Sequence, residues 1–259
     1  MSAITATQIA SGQVLRICLS SPPRNILDSV ALRELVAILS PITKVSRENC
    51  HLKAILLAAE GPNFSMGASV AEHSRAEAPA MLSTFVAATR ALVLPFLPVV
   101  AAVKGQCLGG GLELVSLATR VFAHASARLG QPEIRLAALA PVASVVLPRR
   151  IGQARAEDLL LSGRTVESAD ALAMGLVDAV TSSEPEAEAL AWIESNLLPH
   201  SAAALRRACL AARTELLREL DATLPSIISL YQDDLLMTED AEEGIRAFLE
   251  KRPPRWSDR

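Results

Sequence analysis

The chain has 259 residues, 51% hydrophobic and 20% charged, with a formal net charge of −3. That length and apolar content support one large domain, or a domain with an appendage, and exclude a disordered chain. The acidic balance, without a long basic run, argues against nucleic acid or an anionic membrane as a partner.

VLRICL (14–19) reads as a strand that runs into the turn SPPRN. Asp28 is placed to cap a helix to about Leu39, with Val30, Leu35, Ile38 and Leu39 on one face. LKAILLAA (52–59) is a continuous apolar run of the kind found in buried strands. A helix over 79–94 follows. PVVAAVK (98–104) is a further strand, LELVSLA (112–118) a helix, and RVFAHA (120–125) a strand. This alternation predicts an α/β domain with mainly parallel pairing. From about residue 152 the pattern turns helical, through AEDLLLSG, ADALAMGLV, 184–197, 201–222, 226–237 and 239–250. Gly175 suits a helix C-terminus.

Aromatic residues make up only 3%, so the core is aliphatic. Cys18, Cys50, Cys107 and Cys209 form no C-x-x-C pair and have no metal-ligand spacing, which implies reduced, mostly buried thiols and no metal. The N-terminal MSAITATQIASGQVLRI lacks a signal-peptide pattern, and no apolar run approaches the ~20 residues of a membrane span. A cytoplasmic protein is the expectation.

Three stretches carry candidate chemistry. GQCLGGGLE (105–113) joins a strand to a helix start through three glycines. It fits neither G-x-x-x-x-G-K-[ST] nor G-x-G-x-x-G. A helix start with free N–H groups binds a phosphate or stabilises an oxyanion, yet the glycines fit a close strand–helix crossing as well. GPNFSMGAS (61–69) is a second loop at a strand end. LGQPEI (129–134) places Glu133 in a turn. Glu113 and Glu133 thus each sit beside a backbone-exposing turn, and two carboxyls aimed at one site could hold a water and move its proton.

In this order and at these separations, FSMGAS, GQCLGGGLE and LGQPEI resemble the enoyl-CoA hydratase/isomerase (crotonase) superfamily, over nearly the whole chain. The resemblance implies an α/β fold: a crotonase-like spiral of ββα units over 1–195 with a helical C-terminal trimerisation region over 196–259. It implies an acyl-CoA thioester as substrate, no separate cofactor because coenzyme A is part of that substrate, and a homotrimer or homohexamer. The thioester oxygen would be held by the N–H groups of Ala68 and Gly110, with Glu113 and Glu133 as the acid/base pair. CoA-contacting positions would be Arg24, Asn25, Ile26, Ala68, Ser69 and Val70, with Phe248 and Lys251 reaching in from a neighbouring subunit.

Two departures stand out. MGAS replaces a common AGAD, and RLAALAPVASVVLPRR replaces a glycine-rich stretch that lines the acyl end in the family. The apolar replacement would suit a ring, and GASVAEH, GQARAEDLLLSGR and FLEKRPPRW are similar to a subgroup that hydrates a cyclic conjugated dienoyl-CoA. A general 2-enoyl-CoA hydratase is the nearest alternative. A non-catalytic acyl-CoA or RNA-binding protein on the same scaffold is the alternative of another class. His73 is left outside the proposed site, since a lone histidine beside a loop is more often structural.

Overall fold

The computed structural model describes residues 2–44 and 51–259. In chain order the strands are β1 (Ile4–Ile9), β2 (Val14–Leu19), β3 (Ala54–Ala59), β4 (Val99–Val103), β5 (Gln106–Leu108), β6 (Arg120–His124), β7 (Arg128–Gly130), β8 (Thr165–Glu167) and β9 (Ala179–Thr181). They form a six-stranded sheet ordered β1-β2-β3-β4-β6-β9 and a three-stranded sheet ordered β5-β7-β8. The larger sheet is parallel except for the β1–β2 pair. The helices are α1 (Ser29–Lys44), α2 (Ala78–Val93), α3 (Gly110–Ser116), α4 (Pro141–Ile151), α5 (Gln153–Ser162), α6 (Ser168–Met174), α7 (Pro185–Asn196), α8 (Ala202–Ser229) and α9 (Glu239–Leu249).

The chain climbs as a spiral. β4 lies in the large sheet and β5, two residues further on, in the small one; β6 and β7 repeat the step directly beside them. Parallel bridges Ser65↔Cys107 and Leu27↔Ala68 continue the stacking into earlier turns. Equivalent corners of successive turns therefore meet at one place, and all three glycine-bearing stretches are such corners.

The apolar run at β3 is buried along its whole length because both faces are covered. Ala54 and Leu56 join Val100, Ala102 and Phe122 against Ala189, Ile193 and Leu197 in and beside α7. Ile55, Leu57 and Ala59 point into the larger core. The period of two along the strand divides the protein into these two apolar layers.

Asp28 caps α1 as expected, accepting from the N–H groups of Val30 and Ala31 at 3.1 and 2.8 Å. Gly175 ends α6 with φ +82°. Several expectations need correction. Val30 is 52% exposed, because it lies on the outer side of the first turn of α1. The helix after the glycine triplet begins at Gly110 rather than at 112. The stretches 201–222 and 226–237 are not two helices: α8 runs unbroken through Pro225 to Ser229 and passes into a π-turn over Leu230–Asp234. The segment RLAALAPVASVVLPRR, given no element from the sequence, runs into α4, which Pro141 opens at a position whose N–H is dispensable. Cys18 and Cys107 are buried free thiols and Cys209 is half-buried, while Cys50 lies outside the described residues.

Asn25 holds the first corner. It is 2% exposed and left-handed, with φ +47°. Its side chain accepts from Ser21 N–H and donates to the carbonyls of Glu60 and Asn63, each at 2.9 Å. Those polar atoms are committed to the protein's own backbone, and the Asn25 main chain is engaged as well, its N–H donating to Ser21 O at 2.9 Å. Each buried group left unpaired costs about 1–3 kcal/mol. Asn25→Ala should therefore lower unfolding stability by roughly 3 kcal/mol in urea titrations, whereas exposed Arg24→Ala should stay within about 0.5 kcal/mol. Equal mild effects would show that this side chain does not hold the corner.

Candidate active site

Each glycine of the triplet has its own reason. Gly109 adopts φ +50°, and a Cβ there would lie 2.5 Å from Glu133 Oε1. A Cβ on Gly110 would come within 2.9 Å of the Phe85 ring and 3.4 Å of Ala68 N. One on Gly111 would meet Ser65 Cβ at 2.6 Å. Bare backbone at these positions lets one turn of the spiral press against the next.

Ser65 locks the facing loop. Its hydroxyl donates to Asn25 O at 2.7 Å and accepts from Gly67 N–H at 3.1 Å. Its main chain pairs with Gln106 and Leu108. This leaves Ala68 N close to Gly110, the first residue of α3. Among the described residues, neither the Ala68 nor the Gly110 N–H donates to a protein acceptor. Two free donors on adjacent backbones, one of them at a helix start, suit an oxygen that gains negative charge.

The two glutamates meet beside these donors. Glu113, in the first turn of α3, is 4% exposed, and its Oε2 accepts from Ala143 N–H at 2.7 Å. Ala143 is in the first turn of α4, so this carboxyl also caps that helix and lies at its positive end. Glu133 opens a short 3₁₀ turn, Glu133–Leu136, and its carboxyl packs against Gly109. Glu133 is half-buried as a residue, and its carboxyl, against Gly109, sits in a desolvated environment. Burial pushes Glu113 above the ordinary carboxylate range, and the N–H groups of Ala143 and Val142 oppose that shift. Burial pushes Glu133 up too, and the charge of Glu113 adds to the rise.

Gln131, 1% exposed, sets its side-chain amide against Glu133. With its nitrogen toward the carboxyl it donates at 3.0 Å to Oε2 and 3.2 Å to Oε1. With its oxygen toward the carboxyl it accepts from the protonated acid. The amide serves either protonation state. Gln131 lies inside LGQPEI, yet an uncharged amide two residues before the glutamate gives no signal of this role in a single sequence.

A family model described as enoyl-CoA hydratase/isomerase matches residues 10–259. The chain belongs to this family. A cyclohexa-1,5-dienecarbonyl-CoA hydratase from Thauera aromatica is 41% identical over 248 residues, 96% of this chain and 94% of that protein. A Rhizobium meliloti (strain 1021) protein named "Probable enoyl-CoA hydratase" is 33% identical over 270 residues, covering 100% of both chains. The crystal structure of an enoyl-CoA hydratase from Mycobacterium avium subsp. paratuberculosis K-10 superposes with a TM-score of 0.86 at 25% identity, over 99% of each chain. The class is that of the enoyl-CoA hydratases, which are hydro-lyases, and the fold is the crotonase spiral.

In this family member the segments 24–27 and 66–69 run side by side. Met66 N–H donates to Arg24 O at 2.9 Å, Leu27 N–H to Gly67 O at 3.0 Å and Ser69 N–H to Leu27 O at 3.3 Å. Arg24 is exposed, while Ile26, Ala68, Ser69 and Val70 are half-buried. Phe248 is 54% exposed near the end of α9, and Lys251 follows it in a left-handed turn. A cavity of about 470 Å³ opens between α9 and the short helix Val70–His73, lined among others by His73, Arg75, Leu236, Ile245 and Leu249. Neither glutamate lines it. His73 Nδ1 lies 2.7 Å from Ser69 O, so this nitrogen carries the proton, and burial holds the ring below its usual pKa. No helix among the described residues is long and apolar enough to cross a membrane, and no group of His, Cys, Asp and Glu among them suits a metal ion.

The raised Glu133 pKa has a consequence for stability. Between the ordinary carboxylate value and the raised one, the folded protein binds more protons than the unfolded chain. Stability from this group is full below that window and is lost as pH rises through it. Glu133→Gln should therefore gain Tm relative to wild type as pH rises from about 5 to about 9. Parallel Tm curves for the two proteins would show that Glu133 is not held in its neutral form.

Proposed function

We propose that this chain adds water to cyclohexa-1,5-diene-1-carbonyl-CoA, giving 6-hydroxycyclohex-1-ene-1-carbonyl-CoA. The observation that carries the reaction type is the pair of buried carboxyls, Glu113 and Glu133, beside two free amide donors. The cyclic acyl group is favoured by the 41% identity to a hydratase of that name, and by the apolar start of α4, where Val142 and Ala143 are buried next to Glu113.

In this reading the Ala68 and Gly110 N–H groups hold the thioester oxygen. One such donor is worth about 3–4 kcal/mol of transition-state stabilisation. Glu113, which receives the Ala143 N–H, is the ionised base, and Glu133, raised further by its neighbour, is the protonated acid. Glu113 takes a proton from water as the oxygen bonds to ring carbon 2, the carbon β to the carbonyl. The electron pair of the 1,2 double bond moves onto the thioester oxygen and spreads over the conjugated 5,6 bond. Glu133 then protonates carbon 5, leaving a double bond between carbons 6 and 1. Renumbered from that bond, the product carries its hydroxyl on carbon 6. Proton transfer from Glu113 back to Glu133 restores the starting state.

Arg24, Asn25, Ile26, Ser69 and Val70 lie along the paired loops that lead to Ala68, where a CoA chain would run. The helical region over 196–259 is assigned to assembly into a homotrimer or homohexamer. Exposed Phe248 and Lys251 suit contact with a neighbouring subunit's CoA in that assembly. A general 2-enoyl-CoA hydratase remains the second reading, since the 33%-identical Rhizobium protein bears that broader name and the reaction needs the same four residues.

A side-by-side hydration assay with the cyclic dienoyl-CoA and crotonyl-CoA separates the two. The expected result is a higher kcat/KM for the cyclic diene. Glu133→Gln should cut turnover by about 10²–10⁴-fold while CoA-ester binding persists. A preference for crotonyl-CoA would remove the ring from the assignment, and full turnover by the variant would remove the mechanism.

A further inference from the structure

The chain has one tyrosine, and it is among the most deeply buried large side chains in the protein. Tyr231 is fully enclosed, and its hydroxyl has no hydrogen-bond partner among the described residues. Buried hydroxyls nearly always find a partner, and one that does not calls for an explanation. Phenylalanine would fill the same space without leaving an orphaned polar atom.

The location supplies the explanation. Tyr231 lies in the π-turn that ends α8, a type of irregularity that recurs at functional sites. Leu235 and Leu236, four and five residues further on, line two cavities next to elements that carry site residues. Leu235 shares a cavity wall with Ile134, Arg135 and Ala137, in the turn that Glu133 opens. Leu236 shares another with His73. The Tyr231 ring itself lies 6.5 Å from the His73 ring, and His73 is tied to Ser69, the residue after the free Ala68 donor.

We propose that the Tyr231 hydroxyl is a third catalytic group of this site, donating a hydrogen bond to the oxygen that is transferred between water and substrate carbon. The inference rests on the hydratase reading above. As that water gives a proton to Glu113 and bonds to carbon, its oxygen passes through a hydroxide-like state. An ionised carboxylate offers it no donor, whereas a phenol does. In the reverse direction the same donor stabilises the departing oxygen. Tyr231 keeps its own proton throughout. Burial first, and the neighbouring carboxyls whenever they carry charge, push the phenol well above its usual pKa, so it remains a donor across the working pH range.

The test compares wild type with Tyr231→Phe on the cyclic dienoyl-CoA and on crotonyl-CoA, with Tm measured on both proteins. The expected outcome is a kcat lowered about 10- to 100-fold in hydration, with KM little changed and Tm equal or higher. Dehydration of the hydroxy product should fall by the same factor. An unchanged kcat would overturn the proposal. So would a lower Tm accompanying the loss of rate, which would mark the hydroxyl as structural. Wild-type turnover is the separate control: if wild type hydrates neither substrate, the hydratase reading falls and takes this inference with it. If wild type is active and Tyr231→Phe matches it, only the role of Tyr231 is lost.

Discussion

Two carboxyl groups held together out of water do not both ionise readily. Each charge raises the cost of the other, and desolvation raises the cost of both. That constraint organises the site. The protein divides the pair by giving Glu113 the amide of Ala143 at the positive end of α4, and by placing Glu133 under the field of Glu113. Gln131 accommodates Glu133 with or without its proton. In the proposed mechanism this division makes an acid and a base from the same functional group.

The spiral brings such a pair together from residues twenty apart. Each turn passes one strand to the large sheet and one to the small sheet, so the corners between them stack. Close stacking needs backbone without side chains, and Gly109, Gly110 and Gly111 each remove a Cβ that would strike a different neighbour. The same contacts leave the Ala68 and Gly110 N–H groups side by side and unpaired. The glycine triplet that joins the elements therefore also prepares the site. The strand–helix crossing and the proposed oxyanion site, which compete when the sequence is read alone, are compatible in one arrangement.

Much of this was legible in the residues. Strong apolar runs marked β2, β3, β4 and β6, because strands buried on both faces need no polar alternation. The three motifs marked the corners and, through the family resemblance, both glutamates. Short strands such as β5, β7 and β8 left no comparable trace, since three residues carry no periodicity. β1 was missed because ITATQI is largely exposed and weakly apolar. The start of α4 was hidden for another reason. Its sequence is largely apolar, which reads as a buried segment of either type, and its contact with Glu113 is made by a main-chain N–H that any residue but proline supplies. The bracing role of the Asn25 side chain leaves no mark in the sequence, because its three backbone partners are scattered from 21 to 63. Tyr231 was invisible because a lone aromatic residue in a helical stretch is ordinarily core.

The shared proton is the central claim, and infrared difference spectroscopy reads it most directly. Spectra of wild type, Glu113→Gln and Glu133→Gln at neutral pH count protonated carboxyls by their C=O stretch. One buried protonated carboxyl should appear in wild type, and its band should disappear in Glu133→Gln. A wild-type spectrum with both carboxyls ionised, or a protonated band that survives in Glu133→Gln and vanishes in Glu113→Gln, would contradict this division of roles.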